Sequence, residues 1–235
     1  MDILSHLDFA TAIKELTPEL WQGLLIALEA TVGGFLLAVI LSVLIAVGRL
    51  SDSKVLKGIL VVILEIVRGT PLLVQLVYMF YVVPLLISLV AQFFMPDYQF
   101  QLNPLFAGIL GLGINYGCYL SEVVRAAILS IDKGQTEAAL ALGYTQRQAL
   151  WSIVIPQATR QAIPVFGNYL IMMIKDTSLL AFITVNELLL RTQAYASQTF
   201  LTIESYTILA VAYLILSLPL SQVVRLLEKR LSKHA

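Results

Sequence analysis

Charge is scarce in this sequence. Asp, Glu, Lys and Arg make up 13% of its 235 residues and hydrophobic residues 59%, whereas soluble domains carry about 25% charged residues. With a mean hydropathy of +0.86, the chain reads as an integral membrane protein with a single domain, 1–235. Its 15 basic and 15 acidic residues cancel, so no nucleic-acid partner is indicated. The only histidines are His6 and His234, near the two ends, which argues against a histidine-based catalytic or metal centre within the membrane. The one cysteine, Cys118, excludes an intramolecular disulfide and a cysteine metal cluster. There is no G-x-x-x-x-G-K-[ST] phosphate loop, so ATP is not bound by that device. No basic segment precedes an apolar core near the start, so residues 1–19 are not a cleavable signal peptide. Ile3, Leu7 and Ala10 share a helical face, as in a short helix lying on the membrane surface. Thr17, Pro18 and Glu19 then read as N-cap, first helical proline and early acid of the next helix.

What is abundant is apolar sequence in lengths near the ~20 residues that cross a bilayer. Five spans are expected, at about 20–48, 56–83, 104–129, 161–183 and 205–225. Pro84, Pro96 and Pro104 punctuate an expected outer loop at 84–103. An odd number of spans puts the termini on opposite sides. With the C-terminus inside, the inner segments hold Arg49, Lys54, Lys57, Lys133, Arg147, Arg160, Arg225, Lys229, Arg230 and Lys233, and the outer segments only Lys14 and Arg191. That bias sets the N-terminus outside and the C-terminus in the cytoplasm.

The longest stretch without a membrane-like core is Glu137 to Pro156, within a loop at 130–157. Gly143 can end a first short helix in a left-handed conformation. Thr145 and Gln148 can form the capping box of a second, and Pro156 disfavours helix at the residue before it. Two helices at a glycine elbow make a compact knob. Ala138, Ala139 and Ala141 allow close approach of another surface, with Leu142, Leu150 and Trp151 as apolar anchors.

This stretch resembles the EAA loop of the inner-membrane permeases of ABC importers. Glu137, Ala138, Ala139, Gly143, Ile153 and Pro156 fall in its register, and only Ile155 departs from the usual Leu. The resemblance implies an all-α fold of the type I importer permease class, with a cytoplasmic coupling helix between helices 3 and 4. Glu137, Ala138, Ala139, Leu142 and Gly143 are then the residues that meet an ATPase. The runs Arg68-Gly-Thr-Pro-Leu-Leu-Val-Gln75, Asn115-x-x-Tyr119-x-x-Glu122-x-x-Arg125 and Lys175-Asp176-Thr177-Ser178-Leu179 are similar to the polar amino acid subgroup, the last to its cystine-type members. The implied partners are two ABC ATPase subunits, a second permease subunit, identical or paralogous, and an extracytoplasmic binding protein, in a bacterial cytoplasmic membrane. ATP and Mg would be bound by the ATPase, leaving no cofactor and no chemistry to this chain. An ATPase-independent secondary transporter or channel is the alternative; it would leave the knob unexplained.

Intramembrane polar groups are expensive and face a bundle interior or a cavity. Lys175 lies about 22 Å along its helix from Arg160, and Asn115 about 22 Å from Ser130. Gln75 lies about 27 Å from Lys57, less what a break at Gly69 and Pro71 removes. Three spans thus bring polar groups to one level. Asn115 with its neighbour Tyr116, Gln75, Lys175, Asp176 and Ser178 are the candidate substrate site. Asp176 or Glu122 would face the ammonium of an amino acid, and Lys175 or Arg68 its carboxylate. Glu65 is read as the structural ion-pair partner of Arg68, three residues away.

Overall fold

The computed structural model describes residues 7–232; Ile3 and His6 of the expected surface helix, with Lys233 and His234, lie outside them. The described residues form helices throughout: α1 (Phe9–Leu50), α2 (Lys54–Arg68), α3 (Leu72–Gln92), α4 (Pro104–Leu129), α5 (Lys133–Ala141), α6 (Gln146–Ile183), α7 (Leu188–Thr199) and α8 (Thr202–Ser232). Four stretches are long and apolar enough to cross a membrane: α1, α3, α6 and Thr202–Leu231 of α8.

The expected span at 104–129 forms α4 but is not in that set, because Asn115, Tyr116, Glu122 and Arg125 lower its hydropathy. It is also the helix its neighbours enclose most, with 12 of its 26 residues buried. A helix facing protein rather than lipid can carry such groups. It pairs chiefly with α1 along small residues. A Cβ on Gly117 would stand 2.9 Å from the Leu41 Cβ and 3.3 Å from the Ala38 carbonyl oxygen. Leu76, Leu112, Leu120, Met173 and Leu180 close the core that α1, α3, α4 and α6 share.

Three sequence expectations change. The span at 56–83 breaks at Gly69–Pro71, as its glycine and proline suggest, and the piece long and apolar enough to cross a membrane is the later one, which continues past 83 to Gln92. Pro84 does not open a loop. The helix widens to a π turn at Tyr78–Val82, closed by the Val83 amide donating to the Tyr78 carbonyl, and passes the proline. Pro156 is passed in the same way, after a π turn at Leu150–Val154 closed by the Ile155 amide on Leu150. The wider turn gives each proline ring room that a regular α turn denies.

The start of the chain also differs from expectation. Asp8, not Thr17, is the N-cap, accepting from the Thr11 amide at 3.0 Å, and α1 runs unbroken through Pro18. Ala12, Leu16 and Leu20 are buried, Leu16 and Leu20 against Leu188 and Leu209 of α7 and α8. Tertiary packing therefore extends the helix past a local stop signal. The Asp8 amide donates to Glu204 at 2.9 Å and pins the start of α1 to that of α8.

Glu187 caps α7, accepting from the Leu189 and Leu190 amides at 2.8 and 3.0 Å and from the Tyr213 hydroxyl at 3.2 Å. It is fully buried. Burial outweighs those bonds and pushes its carboxyl up to about 7, from an ordinary 4.5. A folded value raised above the unfolded one means that the fold holds the proton more tightly. The stability this contributes is complete below about pH 4.5 and is lost as pH rises through about 7. Thermal unfolding in detergent is expected to shift to lower temperature between those pH values, and Glu187→Gln to flatten the dependence. Equal slopes for the two proteins would show that Glu187 does not titrate there.

Candidate functional site

The break between α2 and α3 opens a cleft of about 520 Å³. Arg68, Gly69, Thr70, Pro71 and Leu72 form one wall, Asn115, Tyr116 and Tyr119 of α4 a second, and Tyr169, Met172 and Asp176 of α6 the third. The residues at 169, 172 and 176 follow helical spacing, so one face of α6 meets the cleft.

Four of the eight residues expected at the site line this cleft: Arg68, Asn115, Tyr116 and Asp176. The Tyr116 hydroxyl donates to Asp176 Oδ2 at 2.6 Å, which ties α4 to α6. Gln75 stands behind the lining. Its amide nitrogen donates to the Val67 carbonyl at 2.6 Å, the Thr70 carbonyl at 3.0 Å and the Thr70 hydroxyl at 2.9 Å. Its oxygen accepts from Asn115 Nδ2 at 3.0 Å. Gln75 is therefore a strut that satisfies carbonyls freed by the break, not a free ligand group. Asn115 Oδ1 keeps no protein partner among the described residues. No side chain caps the first turn of α3 at Pro71 and Leu72, which leaves amide groups pointing out of a helix start.

The other three expected residues lie elsewhere. Lys175 is exposed and outside the lining, because one residue along a helix from Asp176 is a turn of about 100°. Ser178 also falls outside the lining, within the tight turn Thr177–Ile183 that ends α6. Glu122 sits at the edge of the cleft, accepting from Arg49, from Arg125 Nε at 3.1 Å and, less closely, from Arg68 at 3.5 Å. This corrects the Glu65–Arg68 pair: Glu65 is exposed and makes no ion pair within 4.0 Å among the described residues. Arg68 instead lies 5.6 Å from the Tyr119 ring centroid, a cation–π distance. Sequence reasoning missed Arg49, Tyr169 and Met172. The last two were findable from their spacing to Asp176.

The knob has the expected caps. Gly143 has φ +86°, its amide donates to the Leu140 carbonyl, and the Tyr144 amide to that of Ala139, the bond pair of a Schellman cap. Thr145 and Gln148 form the capping box. Glu137, Ala138 and Leu142 are exposed, whereas Ala139 is buried and faces inward. Leu142 is 80% and Trp151 60% exposed, an apolar surface at the tip of a polar loop. Among the described residues no group of three or more His, Cys, Asp or Glu could hold a metal ion.

The family model described as binding-protein-dependent transport system inner membrane component matches residues 17–233. The L-cystine transport system permease protein TcyB of Bacillus subtilis (strain 168) is 34% identical over 218 residues, covering 92% of this chain and 88% of its own. The glutamine transport system permease protein GlnP of Escherichia coli (strain K12) is 33% identical over 221 residues, covering 94% and 96%. A crystal structure of an amino acid ABC transporter with histidines superposes with a TM-score of 0.84 at 32% identity, over 95% of this chain and 99% of that one.

The strut can be tested directly. Gln75→Leu leaves two carbonyls and the Asn115 amide short of a partner. It is expected to destabilise the protein by about 1 kcal/mol, chiefly through the buried Asn115 amide, since Thr70 is exposed. Thermal unfolding in detergent reads the change, and an unshifted transition would exclude the strut.

Proposed function

The chain belongs to the binding-protein-dependent transport system inner membrane component family, whose members are permease subunits of ABC importers, and we propose that it carries a polar amino acid across the bacterial cytoplasmic membrane by alternating access. A cystine-like compound is one candidate substrate. The observation that carries the reading is a cation and an anion in one cleft, Arg68 and Asp176. An amino acid zwitterion needs both, and within a membrane they must be protein groups. Arg68 and the uncapped start of α3 receive the carboxylate, because amides at a helix start favour an anion. Asp176, with the unpartnered oxygen of Asn115, receives the ammonium. Tyr116 holds the Asp176 carboxylate in position through its 2.6 Å bond.

In this reading α4 crosses the membrane as a fifth span, since α1 and α6 shield its polar residues from lipid. The N-terminus lies outside and the C-terminus in the cytoplasm, on the strength of the basic residues. The knob then faces the cytoplasm as the coupling element. Glu137, Ala138 and Leu142 meet an ATPase subunit, Gly143 shapes the elbow and Ala139 supports it from within. A second permease subunit, identical or paralogous, completes the path. ATP-driven closure of the ATPases biases the pair between inward- and outward-open states, and substrate shifts the balance only by its difference in affinity for the two. Family membership does not favour an ATPase-independent carrier.

Asp176→Asn removes the charge that meets the ammonium. Apparent affinity is expected to fall about tenfold to a hundredfold, matching the ~1.5–3 kcal/mol of a hydrogen bond to a charged group, with co-purification of the ATPase unchanged. Uptake into proteoliposomes containing the full complex measures this, and wild-type affinity in an assembled variant would rule the pocket out.

Gly143→Val tests the coupling element separately. Nothing lies within 4 Å of the added Cβ, so its effect comes from forcing a β-branched residue to positive φ, about 1–2 kcal/mol. Insertion should persist while substrate-stimulated ATP hydrolysis falls. Unchanged stimulation would reject the knob as the coupling element.

A further inference from the structure

We infer that the cleft selects amino acids whose side chains carry no charge, rejecting lysine, arginine, aspartate and glutamate. The inference rests on the amino acid reading of the cleft and goes beyond it to the side chain. Of the 11 lining residues only Arg68 and Asp176 carry a formal charge, and the α-carboxylate and α-ammonium engage both. The wall that remains is Tyr119, Tyr169 and Met172. Tyr119 and Tyr169 lie with ring centroids 6.4 Å apart, and Tyr169 meets the edge of Tyr116 at 6.1 Å. This surface offers ring faces, hydroxyls and a thioether, which suit an amide, an imidazole or a sulfur-containing side chain. It offers no second ion.

The charges just outside the cleft sharpen the selection. Arg49 and Arg125 pair with Glu122 outside the lining, and Arg68 reaches Glu122 from within it; with Arg68 given to the α-carboxylate, two positive charges less one negative leave a net +1 beside the cleft. A lysine or arginine side chain would find no carboxylate and would lie against that excess. An aspartate or glutamate side chain would need a second cation. Arg49 and Arg125 are already bonded to Glu122, and Arg68 holds the α-carboxylate. Lys175, the other nearby cation by sequence, is exposed and outside the lining. Either charged class therefore enters with one ion unpaired in a partly desolvated site, which is costly.

The test uses the permease–ATPase complex purified without its binding protein, so that selectivity belongs to this chain and its membrane partner alone. Glutamine, methionine, histidine, lysine, arginine, aspartate and glutamate are each titrated calorimetrically at about pH 7.5, where the His side chain is mostly neutral. At least one neutral compound should bind, with all four charged ones at least about tenfold weaker. Met172→Glu, which places an anion on the neutral wall, should raise affinity for lysine and arginine about tenfold and lower it for the neutral compounds. A charged amino acid that binds the unmodified complex as tightly as the best neutral one overturns the selectivity and leaves the amino acid site intact. If no amino acid of any class binds, both the site and its selectivity fall.

Discussion

A break in a helix frees backbone groups that must find partners elsewhere. The described structure turns on how the Gly69–Pro71 break meets that demand. Proline at 71 removes one donor and stops α2, and Gln75 reaches back to the Val67 and Thr70 carbonyls from the first turn of α3. One side chain thus holds both halves of the break. Its remaining oxygen fixes Asn115, which brings α4 into the same arrangement. The cleft exists because the break is held open, and its polar lining tolerates burial because the strut is complete.

A second constraint is the seam between α1 and α4. Between helices in lipid there is little hydrophobic drive, so association depends on close packing. Gly113 and Gly117 let Leu37, Leu41 and the backbone of Ala38 approach closely. That seam carries Arg49, at the end of α1, to Glu122 on α4, where Arg125 and Arg68 also converge. The four charges lock α1, α2 and α4 together at the mouth of the cleft. Three cations around one carboxylate neutralise it and leave a positive field on the side where Arg68 enters.

The sequence made legible whatever depended on local pattern. Gly143, Thr145 and Gln148 announce their caps through residue type and spacing, and the structure forms both. Gln75, Asn115 and Asp176 came to a common depth by helical rise alone. What was not legible is which way a side chain turns and what a tertiary neighbour overrides. Lys175 and Asp176 share a depth but not a face. Thr17 and Pro18 look like a helix start, yet burial of Ala12, Leu16 and Leu20 carries α1 through them. Pro84 and Pro156 look like stops, and in each case a π turn that no residue pattern signals lets the helix continue. Glu65 and Arg68 fit a local pair, but Glu122, distant in sequence, takes the arginine.

The cleft and the knob are joined by a single element. α6 runs from Gln146 to Ile183, with the exposed Trp151 near its start and Asp176 near its other end. The two are 25 residues apart, about 37 Å along a helix. A displacement applied at the knob therefore reaches the Asp176 wall through one continuous backbone, with no intervening loop to absorb it. The places where that lever can bend are limited. The π turn at Leu150–Val154, Pro156 and Pro164 all lie on the knob side of Tyr169. The segment carrying Tyr169, Met172 and Asp176 is unbroken helix, so those three side chains move as one body. Since the Tyr116 hydroxyl ties that body to α4, any motion that separates α6 from α4 must either carry α4 along or break the 2.6 Å bond. An ammonium group received at Asp176 would take Oδ1 while Tyr116 keeps Oδ2, since a carboxylate accepts at both oxygens. Substrate at that position would sit on the same carboxylate that joins α4 to α6, so occupancy of the cleft bears on the contact that limits the lever without any further moving part.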